Sequence, residues 1–173
     1  MKDHPFSLRH VLKESAVALA IGIIYFFVAK FSLLTTVAPG QSSPFFIPSG
    51  FAIGILLLLG TRYLPMIFLA KFVLGLSNHR DYYLNAISSL ASVSEAYVGI
   101  YLYKSFKDTI SEYYEYQSTL VSVSVVALLA PIFSALIGVT NLYYLGIIKD
   151  EGFFSHILTW YTGDVLSIFI LLP

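Results

Sequence analysis

The chain has no cysteine, one tryptophan, two methionines and little charge. The missing cysteines exclude disulfides and thiolate metal sites. Charged residues make up 12% of the 173 positions, about half of what a soluble domain carries on its solvated surface. Formal net charge is zero and lysines and arginines form no run, so the basic footprint of a nucleic-acid binder is absent. The chain holds no His-Glu-x-x-His helix, no Gly-x-Ser-x-Gly elbow and no phosphate-binding glycine loop. His4, His10, His79 and His156 are scattered, so no metal site, cofactor or catalytic group is expected here.

What the chain does have is long apolar blocks. Hydrophobic residues reach 57% and mean hydropathy is +0.79, which predicts an all-helical, polytopic integral membrane bundle. The blocks suggest about six spans. The first is Ala16 to Leu34, too long for a signal-peptide core and so retained. A polar loop, Thr35 to Ser43, leads to a short, irregular second span between Pro44 and Gly60. Pro48 and Gly50 break helix geometry there, so a kink or a re-entrant turn buried against protein is expected. Pro65 opens a third helix to about Leu76. A fourth runs from Leu84 to Tyr103 and a fifth from Leu120 to Leu142. A sixth begins near Phe154. The hydrophilic stretch Lys104 to Gln117 reads as an amphipathic surface segment, with Tyr113, Tyr114 and Tyr116 at headgroup level. Membrane lipid is therefore the first partner.

The placement of cations predicts orientation. With a cytoplasmic N-terminus, Lys2, Arg9, Lys13, Arg62, Lys104 and Lys107 lie inside, and only Arg80 and Lys149 outside. Tyr82, Tyr83, Tyr143 and Tyr144 then form an outer aromatic belt. The chain reads as one membrane domain over residues 1–173. Its apolar finish, Ile168 to Pro173, reads as a fragment with further protein beyond.

Three charged residues lie inside these spans. Glu95 and Asp164 fall roughly 16 Å below the outer surface and Lys71 roughly 12 Å above the inner one. A charge in hydrocarbon costs about 3 kcal/mol on insertion scales, so all three should face a packed or watered interior. Ser88, Ser92, Glu95 and Gly99 form one polar stripe on the fourth helix. Trp160, Asp164 and Ser167 share a face of the sixth, and Lys71, Gly75 and Asn78 a face of the third. Ala130, Ser134, Gly138 and Asn141 line the fifth for close helix contact. Each acid reads as a structural ion pair or protonated packing residue, as a ligand or cation site, or as a proton-linked switch. Lys71 reads as a counter-ion to one acid or as part of a ligand site. Trp160 reads as an interface anchor or a pocket wall. Pro48 and Gly50 read as a plain kink, or as a break exposing backbone groups to a cavity.

Four stretches resemble the membrane-associated sensor domain family of the first type. They are Ile47-Pro48-Ser49-Gly50-Phe51-Ala52 with its leucines to Gly60, Arg62-Tyr63-Leu64-Pro65 with Phe68-Leu69-Ala70, the Glu95-Ala96 helix, and Trp160-Tyr161-Thr162-Gly163-Asp164 with Pro173. Ile47 stands where that family usually has tryptophan, and Ser167 where glycine often follows. The resemblance implies a sensory input module of a bacterial signalling protein, of histidine kinase or diguanylate cyclase type, in the inner membrane. It implies no catalysis within the chain and dimerisation through an output domain beyond residue 173. The ligand or membrane partner would engage a polar pocket built from Glu95, Asp164, Lys71, Trp160, Ser92 and Ser167. The rival expectation is a small solute-binding transporter subunit of the vitamin-capture type.

Overall fold

Prolines, glycines and polar clusters cut the apolar sequence into six α-helices: α1 (Leu8–Leu33), α2 (Pro48–Leu59), α3 (Leu64–Ser77), α4 (Tyr82–Ile110), α5 (Glu115–Tyr144) and α6 (Phe153–Leu171). The computed structural model describes residues 8–36, 43–110 and 115–172, and among these there is no strand. Met1–Pro5, most of the loop after the first span, Tyr113, Tyr114 and Pro173 lie outside the described residues. The stretch beginning at Lys104 is largely a continuation of α4, and Tyr116 already belongs to α5.

The boundaries have local causes. Pro48 and Pro65 each fall in a first helical turn, where the missing N–H has no intrahelical partner to lose. Asp81 caps α4, its Oδ1 accepting from the N–H groups of Tyr83 at 2.8 Å and Leu84 at 3.2 Å. Gly60 ends α2 at φ +99°, a backbone shape that side chains rarely adopt.

By length and composition, α1, α5 and the 150–171 stretch can each cross a membrane. α4 has 29 residues, about 44 Å of rise, but is more polar. α2 and α3 rise only about 18 and 21 Å, short of the roughly 30 Å hydrocarbon core.

Contacts along the bundle fix its directions. Met66 meets Gly22, and the hydroxyl of Tyr63 meets Glu14, so α3 runs parallel to α1. Ser49 meets Glu95 and Ile53 meets Gly99, so α2 runs with α4. Asn85 lies on Gly75, Asn141 bonds the carbonyl of Leu84, and Trp160 covers Gly138. Helices α1, α3 and α5 therefore lead away from the face where α1 begins (the near face), and α2, α4 and α6 return to it.

α2 starts beside Asp164, about 16 Å along α6 from its beginning. Residues 43–47 thus reach mid-bundle without helical structure. Backbone at that depth is tolerated only where protein satisfies it, and here it does. The N–H of Phe46 bonds the carbonyl of Gly163 at 3.3 Å, and that of Ile47 bonds Ser32 Oγ at 3.1 Å. Ser167 Oγ donates to the Ile47 carbonyl at 2.8 Å and accepts from the Gly50 N–H at 2.9 Å. The kink or re-entrant turn expected at Pro48 and Gly50 takes the form of a helix start at mid-depth, buried against protein.

The bundle is apolar outside and encloses buried polar groups within an apolar core. Leu19, Phe27, Phe31, Phe133, Leu158 and Ile170 are exposed, whereas Ser49, Ser89, Ser134, Glu95 and Asp164 are buried. Tyr25, Ile53, Leu56, Ile67, Val126 and Ile168 fill the centre. Tyr82, Tyr83, Tyr143 and Tyr144 stand exposed at the far ends of α4 and α5, where the aromatic belt was expected.

The seating of residues 43–47 needs glycine in α6. A Cβ on Gly163 would lie 2.5 Å from the Ser43 carbonyl oxygen, and one on Gly50 would collide with the Ser167 carbonyl oxygen. At Gly54 a Cβ would find ordinary contacts at 3.8 Å. Thermal unfolding in detergent should show Gly163→Ala and Gly50→Ala destabilised by about 1–3 kcal/mol. Gly54→Ala should be neutral or slightly stabilised, since it removes a helical glycine.

Candidate intramembrane acid site

The mid-membrane break brings α2, α4, α5 and α6 to one point. Asp164 is fully buried and Glu95 is 2% exposed. Ser49, in the first turn of α2, is shared between them. Its Oγ lies 2.7 Å from Asp164 Oδ1 and 3.3 Å from Glu95 Oε2. Ser134 Oγ of α5 lies 2.9 Å from Asp164 Oδ2 and 3.1 Å from the Pro131 carbonyl. The result is a chain of polar atoms, Glu95–Ser49–Asp164–Ser134, linking four helices. Glu95 Oε1 is buried and has no hydrogen-bond partner among the described residues.

Asp164 also lies against the start of α2 through Ser49, where the helix dipole favours negative charge, although the Ser49, Gly50 and Phe51 N–H groups are already paired. Two hydroxyls at 2.7 and 2.9 Å and this dipole address Asp164, while Glu95 has its one short hydroxyl contact at 3.3 Å and lies within interaction range of Ser134 and Asp164. The two acids share a site but not an environment.

The other expected residues fall around this centre. Ser167 clamps the start of α2 from α6, through both of its hydrogen bonds. Ser92, on the α4 stripe, is 8% exposed and faces the buried Tyr25 of α1. Trp160 is half-buried over Gly138, in a cluster with Leu84, Val139 and Leu142, one turn above Asp164. It packs α5 against α6 and makes no hydrogen bond to the acids among the described contacts.

Lys71 stands apart. Its Nζ lies 4.0 Å from the centre of the Phe46 ring, and among the described residues no ion pair joins it to either acid. With Gly75, Asn78, Arg80, Asn85 and Ser88 it lines a cavity of about 20 Å³ towards the far face, room for a single water. Lys71, Gly75 and Asn78, read as one face of α3, do share that cavity.

Ser49, Ser134 and Ser32 also hold the site by hydrogen bonds, and their sequence signals are weak. Ser134 is visible only as a small residue at helix-contact spacing, and Ser49 only as the residue between Pro48 and Gly50. At the near face a separate group forms. Arg62 pairs with Glu14 at 3.2 Å, and Tyr63 donates to Glu14 at 2.6 Å. That bond holds the Tyr63 phenol above its usual range. Among the described residues no group of His, Asp or Glu could hold a metal ion.

Ser167→Ala would leave the Gly50 N–H unpaired in a dry interior, and the Ile47 carbonyl with the Phe51 N–H as its remaining donor. The expected loss is about 1–3 kcal/mol, read by chemical unfolding in mixed micelles. Ser49→Ala and Asp164→Asn should be non-additive in the same assay, with coupling of about 0.5 kcal/mol or more. Additive losses would show that Ser49 does not bind Asp164.

Residues 17–173 match the family model MASE1. Comparison with curated proteins and with solved structures returned no match.

Proposed function

The chain belongs to the MASE1 family of membrane sensory input domains, and from that premise we propose that it senses its signal through the Glu95–Asp164 site. The observation that carries this reading is the shared Ser49 hydroxyl. It ties α2, α4 and α6 at one charged point, so any change in charge there alters three helix contacts together. A ligand or membrane partner that binds one packing better than the other shifts the population towards it. The readout is movement of α6 against α4 and α5, passed to a cytoplasmic output domain joined beyond residue 173. Kinase or diguanylate cyclase chemistry, and dimerisation, would belong to that domain. Cation placement supports a cytoplasmic N-terminus in a bacterial inner membrane.

One feature favours transport as the second reading. α2 is a half-helix starting at mid-depth, as in the broken helices of transporters. Against it, both acids are enclosed by side chains. Co-purification of a vitamin, or uptake with an ATPase partner, would favour transport.

The test uses the full-length protein in its own membrane. Glu95→Gln and Asp164→Asn, expressed at wild-type level, should each change output by about fivefold or more, the lower end of ordinary coupling. Unaltered output in both variants would overturn the sensing role of this site.

A further inference from the structure

Ser49 has one hydroxyl proton, yet its oxygen lies within hydrogen-bond distance of both Asp164 Oδ1 and Glu95 Oε2. A hydroxyl donates once. If both acids were ionised, one of the two contacts would set a lone pair against a carboxylate. Ser134 is no source of a spare proton, since its own single hydroxyl proton already lies between Asp164 Oδ2 and the Pro131 carbonyl. A proton on one carboxyl group removes that conflict.

The surroundings say which one. Asp164 is met by Ser49 and Ser134 and by the start of α2, all of which favour a carboxylate. Glu95 has its Oε2 on Ser49 and its Oε1 on nothing among the described residues. A buried carboxylate oxygen without a partner is costly, whereas the carbonyl oxygen of a neutral acid tolerates it better. Placing the proton on Oε2 accounts for both oxygens. Glu95 donates to Ser49, Ser49 donates to Asp164, and Ser134 donates to Asp164.

We propose that Glu95 is an exchangeable proton-binding site open to the far face, and that the proton is the ligand of this sensor. The proposal rests on the sensing role given to the site above and names its signal. A proton needs no cavity, which suits two acids packed against hydroxyls. The route lies along α4. Ser92 is one turn and Ser88 two turns from Glu95 towards the far face, and Ser88 lines the single-water cavity beside Lys71, Asn78 and Arg80. The charged and titratable groups facing Glu95 are Tyr25 of α1, Lys71 of α3 with Arg80 behind it, and Asp164 of α6. α2 has none in its sequence, and α5 carries its own only at its ends.

On release, the Oε2–H bond breaks and the proton passes to water on the far side. Lys71 and Arg80 are the cations placed to balance the two carboxylates that remain. Ser49 can then serve only one acid, and the two carboxylates repel. α2, held to α6 by Ser167, separates from α4 at this point. Proton occupancy therefore sets the grip between α4 and the α2–α6 unit.

The experiment is infrared spectroscopy of the protein in vesicles of defined orientation, with pH stepped on each side separately. The expected result is a carboxylic-acid carbonyl band, present at low pH and lost as the far-side pH rises within about pH 5 to pH 9. Glu95→Gln should abolish the band. Asp164→Asn, which removes the neighbouring negative charge, should keep the band and shift its midpoint to lower pH. Ser92→Ala keeps both acids and should slow exchange without moving the midpoint. No band, a band unchanged over that range, a band that survives Glu95→Gln, or one that follows only near-side pH would overturn the proposal. This readout does not involve output. Loss of signalling in Glu95→Gln without any titrating band would leave the sensing site standing and remove the proton as its ligand.

Discussion

The rest of this structure depends on one hydroxyl group, that of Ser49, placed between two buried acids. It can stand there only because α2 begins at mid-depth, and α2 can begin there only because residues 43–47 reach the centre of the bundle without helical structure. Each link has a physical condition. Non-helical backbone in a membrane must be satisfied by protein, and Ser32, Ser167 and the Gly163 carbonyl satisfy it. Close passage over α6 requires that Gly163 carry no side chain. The polar chemistry at the centre and the irregular backbone are therefore one design rather than two.

This arrangement makes the acids informative. Two carboxylates at the bilayer centre would be expensive if they faced lipid. Here they face each other through serines, at the junction of four helices. The family to which the chain belongs supplies sensory input to signalling proteins, and such a domain needs an element with two packings of similar free energy. A junction held by hydrogen bonds and charge meets that need better than an apolar core, because a change of one charge reorders it. The helices around it are tied by other means. Trp160 over Gly138 and Asn85 against Gly75 lock α5 to α6 and α4 to α3, and the Glu14–Arg62–Tyr63 group ties α1 to the α2–α3 turn.

Much of the fold was legible beforehand. Long apolar blocks announce spans, Pro48 and Pro65 announce helix starts, and Glu95 and Asp164 inside such blocks announce an interior site. The stripes Ser88–Ser92–Glu95–Gly99 and Ala130–Ser134–Gly138–Asn141 do face inward. Other features were not legible. Lys71 stands over Phe46 in a separate small cavity rather than in an ion pair with an acid, because its side chain has several reaches and sequence spacing fixes only its Cα. Trp160 turned inward onto Gly138 because α5 offers a bare backbone there. Residues 104–110 continue α4 as an exposed, polar end, since polarity sets exposure and does not end a helix.

The sequence by itself determined the solvent, the all-helical class, the family and the two acids, because each follows from residue type and period along one chain segment. Tertiary structure alone decided that Ser49 joins those acids and that Ser134 supports one of them. It also decided that Lys71 sits over Phe46 without a salt bridge to either acid and that the second span starts halfway through the bundle. Those facts depend on which helices are neighbours and at what height they meet. Hydrophobic periodicity says which face of a helix turns inward, and it carries no information on what that face will find there.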